Sequence, residues 1–260
     1  VSTDGPLVIH SAANPQLKAL RRLAQDSTAW RKEGRVWLEG DHLCRAALER
    51  GVQPLMGVFA ESVWAAQWPQ WSSVVDKPVV LADALFDSIS SLESPSRMAF
   101  VIAVPDAPEI DPAAATVVLD RLQDAGNVGA ILRSAAAFGF RQVIGLRGTA
   151  ALWSPKVLRA GMGAHFGLRL VDAAAPEVLD ELLIPMVATS SHAGQWLHRA
   201  ALPWPCAWVL GHEGQGVSDA VAARASLSVR IIQPGGEESL NVASAAAICL
   251  HASAAARQQG

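Results

Sequence analysis

The sequence predicts an α/β protein of two domains, the second built on a mostly parallel sheet. Three observations carry this. Apolar, β-rich runs alternate with Ala- or Leu-rich helical stretches along most of the chain. A proline- and acid-rich segment divides it. A chain of 260 residues, 51% hydrophobic and 17% charged, is long and apolar enough to bury a core in each part.

Taken in order, the first element is a helix opening at Asn14-Pro15, with Asn as N-cap and Pro at the first helical position. Leu17, Leu20 and Leu23/Ala24 then recur at helical spacing. Between Lys18 and Arg35 stand six basic residues, Lys18, Arg21, Arg22, Arg31, Lys32 and Arg35, against the acids Asp26 and Glu33. In a chain of net charge −3 this segment is read either as a solvated helix face or as a surface for phosphates. From about Val36, short strands and helices alternate, with β-rich runs near 55–60, 74–81 and 98–104. These make residues 1–104 a small α/β domain. Residues 105–112 hold three prolines and three acids and are expected to be an extended linker. In the second domain, 113–260, strand-like runs fall at 116–119, 142–146, 168–171, 186–189, 207–210 and 228–232. Ligands of such a sheet sit beyond the carboxyl ends of its strands, so the loops there are where chemistry is sought.

Several classes are disfavoured. No apolar run reaches the ~18 to 20 residues of a membrane span, and the start, Val1 to Pro6, lacks the order of a signal peptide, so a soluble, cytoplasmic protein is expected. Cys44, Cys206 and Cys249 lie far apart with no CxxC pair, which predicts buried reduced thiols rather than disulfides or zinc. His212 has no second ligand at metal-binding spacing, and no metal is expected. A nicotinamide-binding site would want GxGxxG after the first strand of the second domain, which is missing.

Three loop segments of the second domain are informative. In the first, residues 119–133, Asn127 fits a helix N-cap, Val128, Ile131/Leu132, Ala135 and Phe138 form an apolar face, and Gly139 closes the helix. Arg133, four residues after Gly129, is placed to lean toward the helix N-terminus, where a guanidinium suits a phosphate or carboxylate; on this segment alone an ordinary surface arginine is the better reading. The second, residues 208–218, is a strand leading into a loop with Gly211, Gly214 and Gly216 around a single carboxylate, Glu213. It is either a ligand-approaching loop or a plain turn capped by Ser218. The third, residues 231–250, runs from a strand through a Pro-Gly-Gly turn to a small-residue helix. There Ser239 or Asn241 serves as cap or presents polar groups to a substrate.

Together and in this order, the three segments resemble the motifs of the SpoU (TrmH-like) family of RNA 2′-O-methyltransferases. The matching residues are Asn127, Gly129 and Arg133; Gly211, Glu213, Gly214 and Gly216; and Glu238 to Val242. The stretch 154–164 looks like the family's segment between its first and second motifs. Ile9, Ser11, Asn14-Pro15, Lys18, Arg31 and Glu39-Gly40 resemble its N-terminal RNA-recognition domain. The chain departs from the family at Ala125, at His212 and at Ile231-Ile232-Gln233. The last falls where the family's backbone meets its cofactor.

The resemblance implies a SPOUT-type catalytic domain with a C-terminal trefoil knot, which periodicity alone would never suggest. It also implies a homodimer. Its cofactor is S-adenosylmethionine, held around Thr189, Gly211, Ile231 and Leu240. Arg133, Asn127, Glu213, Ser239 and Asn241 are the catalytic set, and Lys18, Arg21, Arg22, Arg31 and Arg35 the RNA-binding set. Ribosomal RNA is the expected substrate. A transfer-RNA enzyme, or an RNA-binding or antibiotic-resistance module of the same fold with little catalysis, is the alternative.

Overall fold

The computed structural model describes residues 5–190, 193–235 and 240–258. Packing divides them into two units, one of residues up to 106 together with 153–166, the other of 107–152 and 167 onward.

The first unit runs β1 (Leu7–Ile9), α1 (Pro15–Gln25), α2 (Ala29–Glu33), β2 (Arg35–Glu39), α3 (Asp41–Glu49), β3 (Pro54–Ala60), α4 (Glu61–Trp71), β4 (Pro78–Leu81), α5 (Asp83–Ile89) and β5 (Met98–Ala103). Its sheet has the order β1-β4-β3-β5-β2, with β5 antiparallel to both neighbours and the other pairs parallel. The predicted cap forms: Asn14 Oδ1 accepts the amides of Gln16 at 2.8 Å and Leu17 at 3.4 Å. Helix α1 then buries Leu17, Leu20, Leu23 and Ala24 in a core with Ile9, Val58 and Leu81. The run at 74–81 is strand only from Pro78, because the amides of Val74 and Val75 bond back to the Trp71 carbonyl and finish α4.

Residues 104–111 form no regular element, as the prolines there require. The second unit holds β6 (Thr116–Asp120), α6 (Ala125–Ala137) and β7 (Gln142–Leu146). Next in the chain comes α7 (Pro155–Gly161), which belongs to the first unit and packs on β2. The second unit resumes with β8 (Arg169–Ala174), β9 (Met186–Thr189), β10 (Gln195–Trp196), β11 (Ala207–Gly211), α8 (Asp219–Ala222), β12 (Leu227–Arg230) and α9 (Val242–Gln258). Its strands lie in the order β10-β12-β9-β11-β6-β7-β8, and every neighbouring pair is parallel.

Alternation along these strands sends Val118, Ile144, Ala188 and Val209 into one apolar cluster. The buried Trp208 projects to the other face, where α9 packs on β11 and the indole Nε1 donates to Ser253 Oγ at 2.8 Å. Such a bond is worth about 1 kcal/mol and fixes the rotation of α9 about its axis. The three cysteines are buried and free, and burial pushes the thiols of Cys206 and Cys249 up to about 11 and about 12, so both stay protonated.

Candidate active site

Because the sheet is parallel, all its strands release their loops at one edge. Asp120 and Gly211 are register partners at the ends of β6 and β11, so the first and second sequence segments leave the sheet side by side. Thr189 ends β9, the neighbour of β11 on its other side and of β12, whose end leads into Ile231. Strand adjacency thus puts Thr189, Gly211 and Ile231 in three consecutive positions along the carboxyl edge.

The first loop corrects one expectation. Asp124, rather than Asn127, is the N-cap of α6; its carboxylate accepts the Asn127 amide at 2.7 Å. The Asn127 side chain, freed from capping, looks outward. Its Nδ2 donates to Glu213 Oε1 at 3.3 Å, and its Oδ1 accepts from Asn241 Nδ2 at 2.9 Å. A chain of hydrogen bonds therefore links all three sequence segments. Asn241 has a second role, its Oδ1 receiving the amides of Ala243 and Ser244 at 3.0 and 3.2 Å and so capping α9. Ser239 lies outside the described residues. Arg133 sits one turn beyond the buried Gly129, exposed, with no hydrogen-bond or ion-pair partner among the described residues.

The second loop is tightly built. His212 and Gly216 pair through their backbones at 3.0 and 2.8 Å, and His212 Nδ1 accepts the amides of Gly214 at 3.0 Å and Gln215 at 3.3 Å. A Cβ on Gly211 would fall 2.1 Å from backbone atoms of Gly216 and Val217, which is why only glycine closes this loop. Gly194, at φ +99, has the same constraint against the Ser228 carbonyl oxygen, 2.4 Å away. Sequence reasoning missed the support beneath. Asp120, its side chain 3% exposed, accepts the Ser218 amide at 2.6 Å and Arg121 Nε at 3.1 Å. The only signal for it was a carboxylate at a strand end.

In the third segment Ile232 is 54% and Leu240 39% exposed, while Gln233 Oε1 is buried with no hydrogen-bond partner among the described residues. No cluster of three or more His, Cys, Asp or Glu is arranged for a metal among the described residues. No helix there is long and apolar enough to cross a membrane.

In the first unit the basic segment is partly neutralised. Glu33 takes Arg22 at 3.0 Å and Arg35 at 3.5 Å, Arg21 donates to Ser88 Oγ at 3.1 Å, and Arg31 lies 5.1 Å over the Trp30 ring. Lys18 is exposed with no such partner among the described residues.

Comparison with known proteins adds the following. Residues 114–251 match the SpoU rRNA Methylase family. The chain is 29% identical over 247 residues to the 23S rRNA (guanosine(2553)-2′-O)-methyltransferase RlmP of Bacillus subtilis, over 94% of this chain and 97% of that protein. A crystal structure of an RNA 2′-O ribose methyltransferase is similar with a TM-score of 0.82 and 29% identity, over 97% of this chain and 100% of the other. The SpoU methyltransferase AviRb of Streptomyces viridochromogenes, solved with AdoMet, has a TM-score of 0.86 at 24% identity over 95% of this chain and 99% of its own, a likeness of fold.

Proposed function

The chain belongs to the SpoU rRNA methylase family, and from that membership we propose that it transfers a methyl group from S-adenosylmethionine to a ribose 2′-hydroxyl of RNA, with ribosomal RNA as substrate. The observation that carries the reading is the Glu213–Asn127–Asn241 chain of hydrogen bonds at the carboxyl edge of the sheet, centred on a residue of the helix that also presents Arg133, which has no side-chain partner among the described residues.

The residues at the strand ends fit the cofactor. Exposed Ile232 and Leu240 offer apolar surface for the faces of a purine, and Gln233 Oε1 is a buried acceptor that lacks a donor among the described residues, as an exocyclic amino group would supply. The backbone at Thr189, Gly211, Ile231 and Leu240 would hold the rest. Bound there, S-adenosylmethionine supplies a methyl carbon made electrophilic by its sulfonium.

The protein's work is then positioning and charge. A guanidinium stays protonated at any working pH, so Arg133 is no base. It grips the phosphate beside the target ribose and stabilises the alkoxide that develops as the 2′-hydroxyl loses its proton to a phosphate oxygen or to water. Asn127, locked in one amide orientation by its two partners, sets the Glu213 carboxylate, whose other oxygen is left to orient a ribose hydroxyl. Asn241 completes the wall, and Ser239 is assigned to the same set from the family motif alone. The family's knotted topology and homodimer are part of the proposal. For a second copy, the face of α6 and α9 offers a cavity of about 540 Å³ bordered by Ala137, Phe138, His251 and Arg257, near the exposed Ile248.

The first unit would supply RNA affinity through Lys18, Arg21, Arg22, Arg31 and Arg35, with Lys32 beside them. Six neutralised phosphates give a log–log salt slope of about −4 to −5. Since Glu33 holds Arg22 and Arg35, Glu33→Gln is expected to tighten RNA binding and steepen that slope. A flat response in filter binding across salt would remove this segment from the interface. The reading as a whole is tested by incubating the protein with methyl-labelled S-adenosylmethionine and RNA from cells lacking it. Label is expected in ribosomal RNA and not in transfer RNA.

A further inference from the structure

Arg121 stands outside the catalytic set, yet its setting is unusual. Its φ of +61 lies in the left-handed region, where a side chain's Cβ is crowded and glycine is the residue without penalty. It directly follows β6. Its amide donates to Thr149 Oγ1 at 3.1 Å, and its side chain runs alongside Gly148, where an added Cβ would approach Arg121 Cγ to 3.3 Å. The guanidinium makes two directed bonds, Nε to the buried Asp120 carboxylate at 3.1 Å and Nη1 to Gln215 Oε1 at 3.0 Å. Asp120 in turn holds the Ser218 amide at 2.6 Å.

The loop from Gly211 to Ser218 is thereby held at three points. Its base is fixed by the Gly211–Val217 approach, its interior by His212 Nδ1, and its outer side by the Asp120–Arg121 pair acting on Ser218 and Gln215. Residues 213–216 are all exposed, so no burial immobilises them. Gln215 lies two residues from Glu213, and the Glu213 carboxylate must meet Asn127 at hydrogen-bond distance for the chain to Asn241 to close.

We propose that Arg121 is a positioning residue: anchored on Asp120, it pins Gln215 and so holds the Glu213 loop in register with Asn127 and Asn241. This rests on the reading of that site as the methyl-transfer centre. The arginine's long planar fork spans from the buried Asp120 carboxylate to Gln215 in the loop, a reach that a glycine suited to this backbone conformation would lack.

Arg121→Gly, which removes the fork and suits the backbone, and Gln215→Ala, which alters one exposed side chain, are compared singly and together. Each single change is expected to lower kcat about tenfold, with KM for S-adenosylmethionine and for RNA within about twofold. The double variant is expected to be no slower than Arg121→Gly alone, because both changes cut one link. Loop amides at 212–217 are expected to exchange hydrogen faster in both. The proposal is overturned if Gln215→Ala turns over like the parent, or if the double variant is additive and Arg121→Gly flattens the salt slope, since Arg121 then meets RNA phosphate directly. Unchanged amide exchange overturns it as well. That arm needs no turnover, so a parent protein that transfers no methyl refutes the functional reading while exchange still decides the role of Arg121.

Discussion

Arg133→Ala is expected to slow methyl transfer about a thousandfold while S-adenosylmethionine affinity stays within about threefold. Arg133 is exposed on α6 and its side chain makes no hydrogen bond or ion pair with a described residue, so the thermal midpoint should hardly move. On the proposed mechanism, what is lost is a fixed positive charge where negative charge develops, together with the fork that seats a phosphate in one orientation. Lysine at this position restores the charge and not the fork, so Arg133→Lys should recover only a small part of the rate. Single-turnover kinetics with saturating cofactor, beside calorimetric titration of S-adenosylmethionine, separates the two effects. Full turnover by Arg133→Ala would take this residue out of the mechanism.

Gly211→Ala is the second large effect. The added Cβ would meet Gly216 and Val217 backbone at 2.1 Å, and neither neighbour is a flexible side chain that swings away. Either β11 retreats from the sheet or the loop lifts, at a cost of about 1–3 kcal/mol in stability. A lifted loop carries Glu213 away from Asn127, and a misplacement of about 1 Å costs roughly a hundredfold in rate. Gly214→Ala is the matched comparison. Its new Cβ would touch only the His212 ring at 3.8 Å, an ordinary contact, so near-parental activity and thermal midpoint are expected. Equal behaviour of the two variants would show that the loop's closure does not matter.

Much of the second unit was legible because its strands are continuous apolar runs whose character is set locally. The runs at 142–146 and 186–189 coincide with β7 and β9 to the residue. The short strands β1 and β10 carry no such signal, since a segment of three or two residues becomes a strand only through its partner. The cap of α6 was misread because Asp124 and Asn127 are both good capping residues three positions apart, and only the fold decides which carboxylate or amide reaches which backbone N–H. The consequence bears on the proposed site, as the side chain not used for capping is the one that meets Glu213.

The glycine spacing of the second loop marked its position correctly and said nothing of its support. Asp120, Arg121 and Gln215 come together through the register of β6 on β11 and through a left-handed turn, and neither has a signature in side-chain periodicity. In the same way, helical spacing in 154–164 could not tell that α7 packs with the first unit, on β2, although the chain places it between β7 and β8.

The central claim is that the three loops meeting at Asn127, Glu213 and Asn241 deliver a methyl group to a ribose oxygen. The most direct test is the chemical position of the label after reaction with methyl-labelled S-adenosylmethionine and ribosomal RNA. A methylated 2′-oxygen cannot attack the neighbouring phosphate, so alkaline hydrolysis should leave the label in a dinucleotide that resists cleavage, and Arg133→Ala should leave none. Label recovered on a base in mononucleotides, or no label in any RNA from a protein that binds S-adenosylmethionine, would contradict the account.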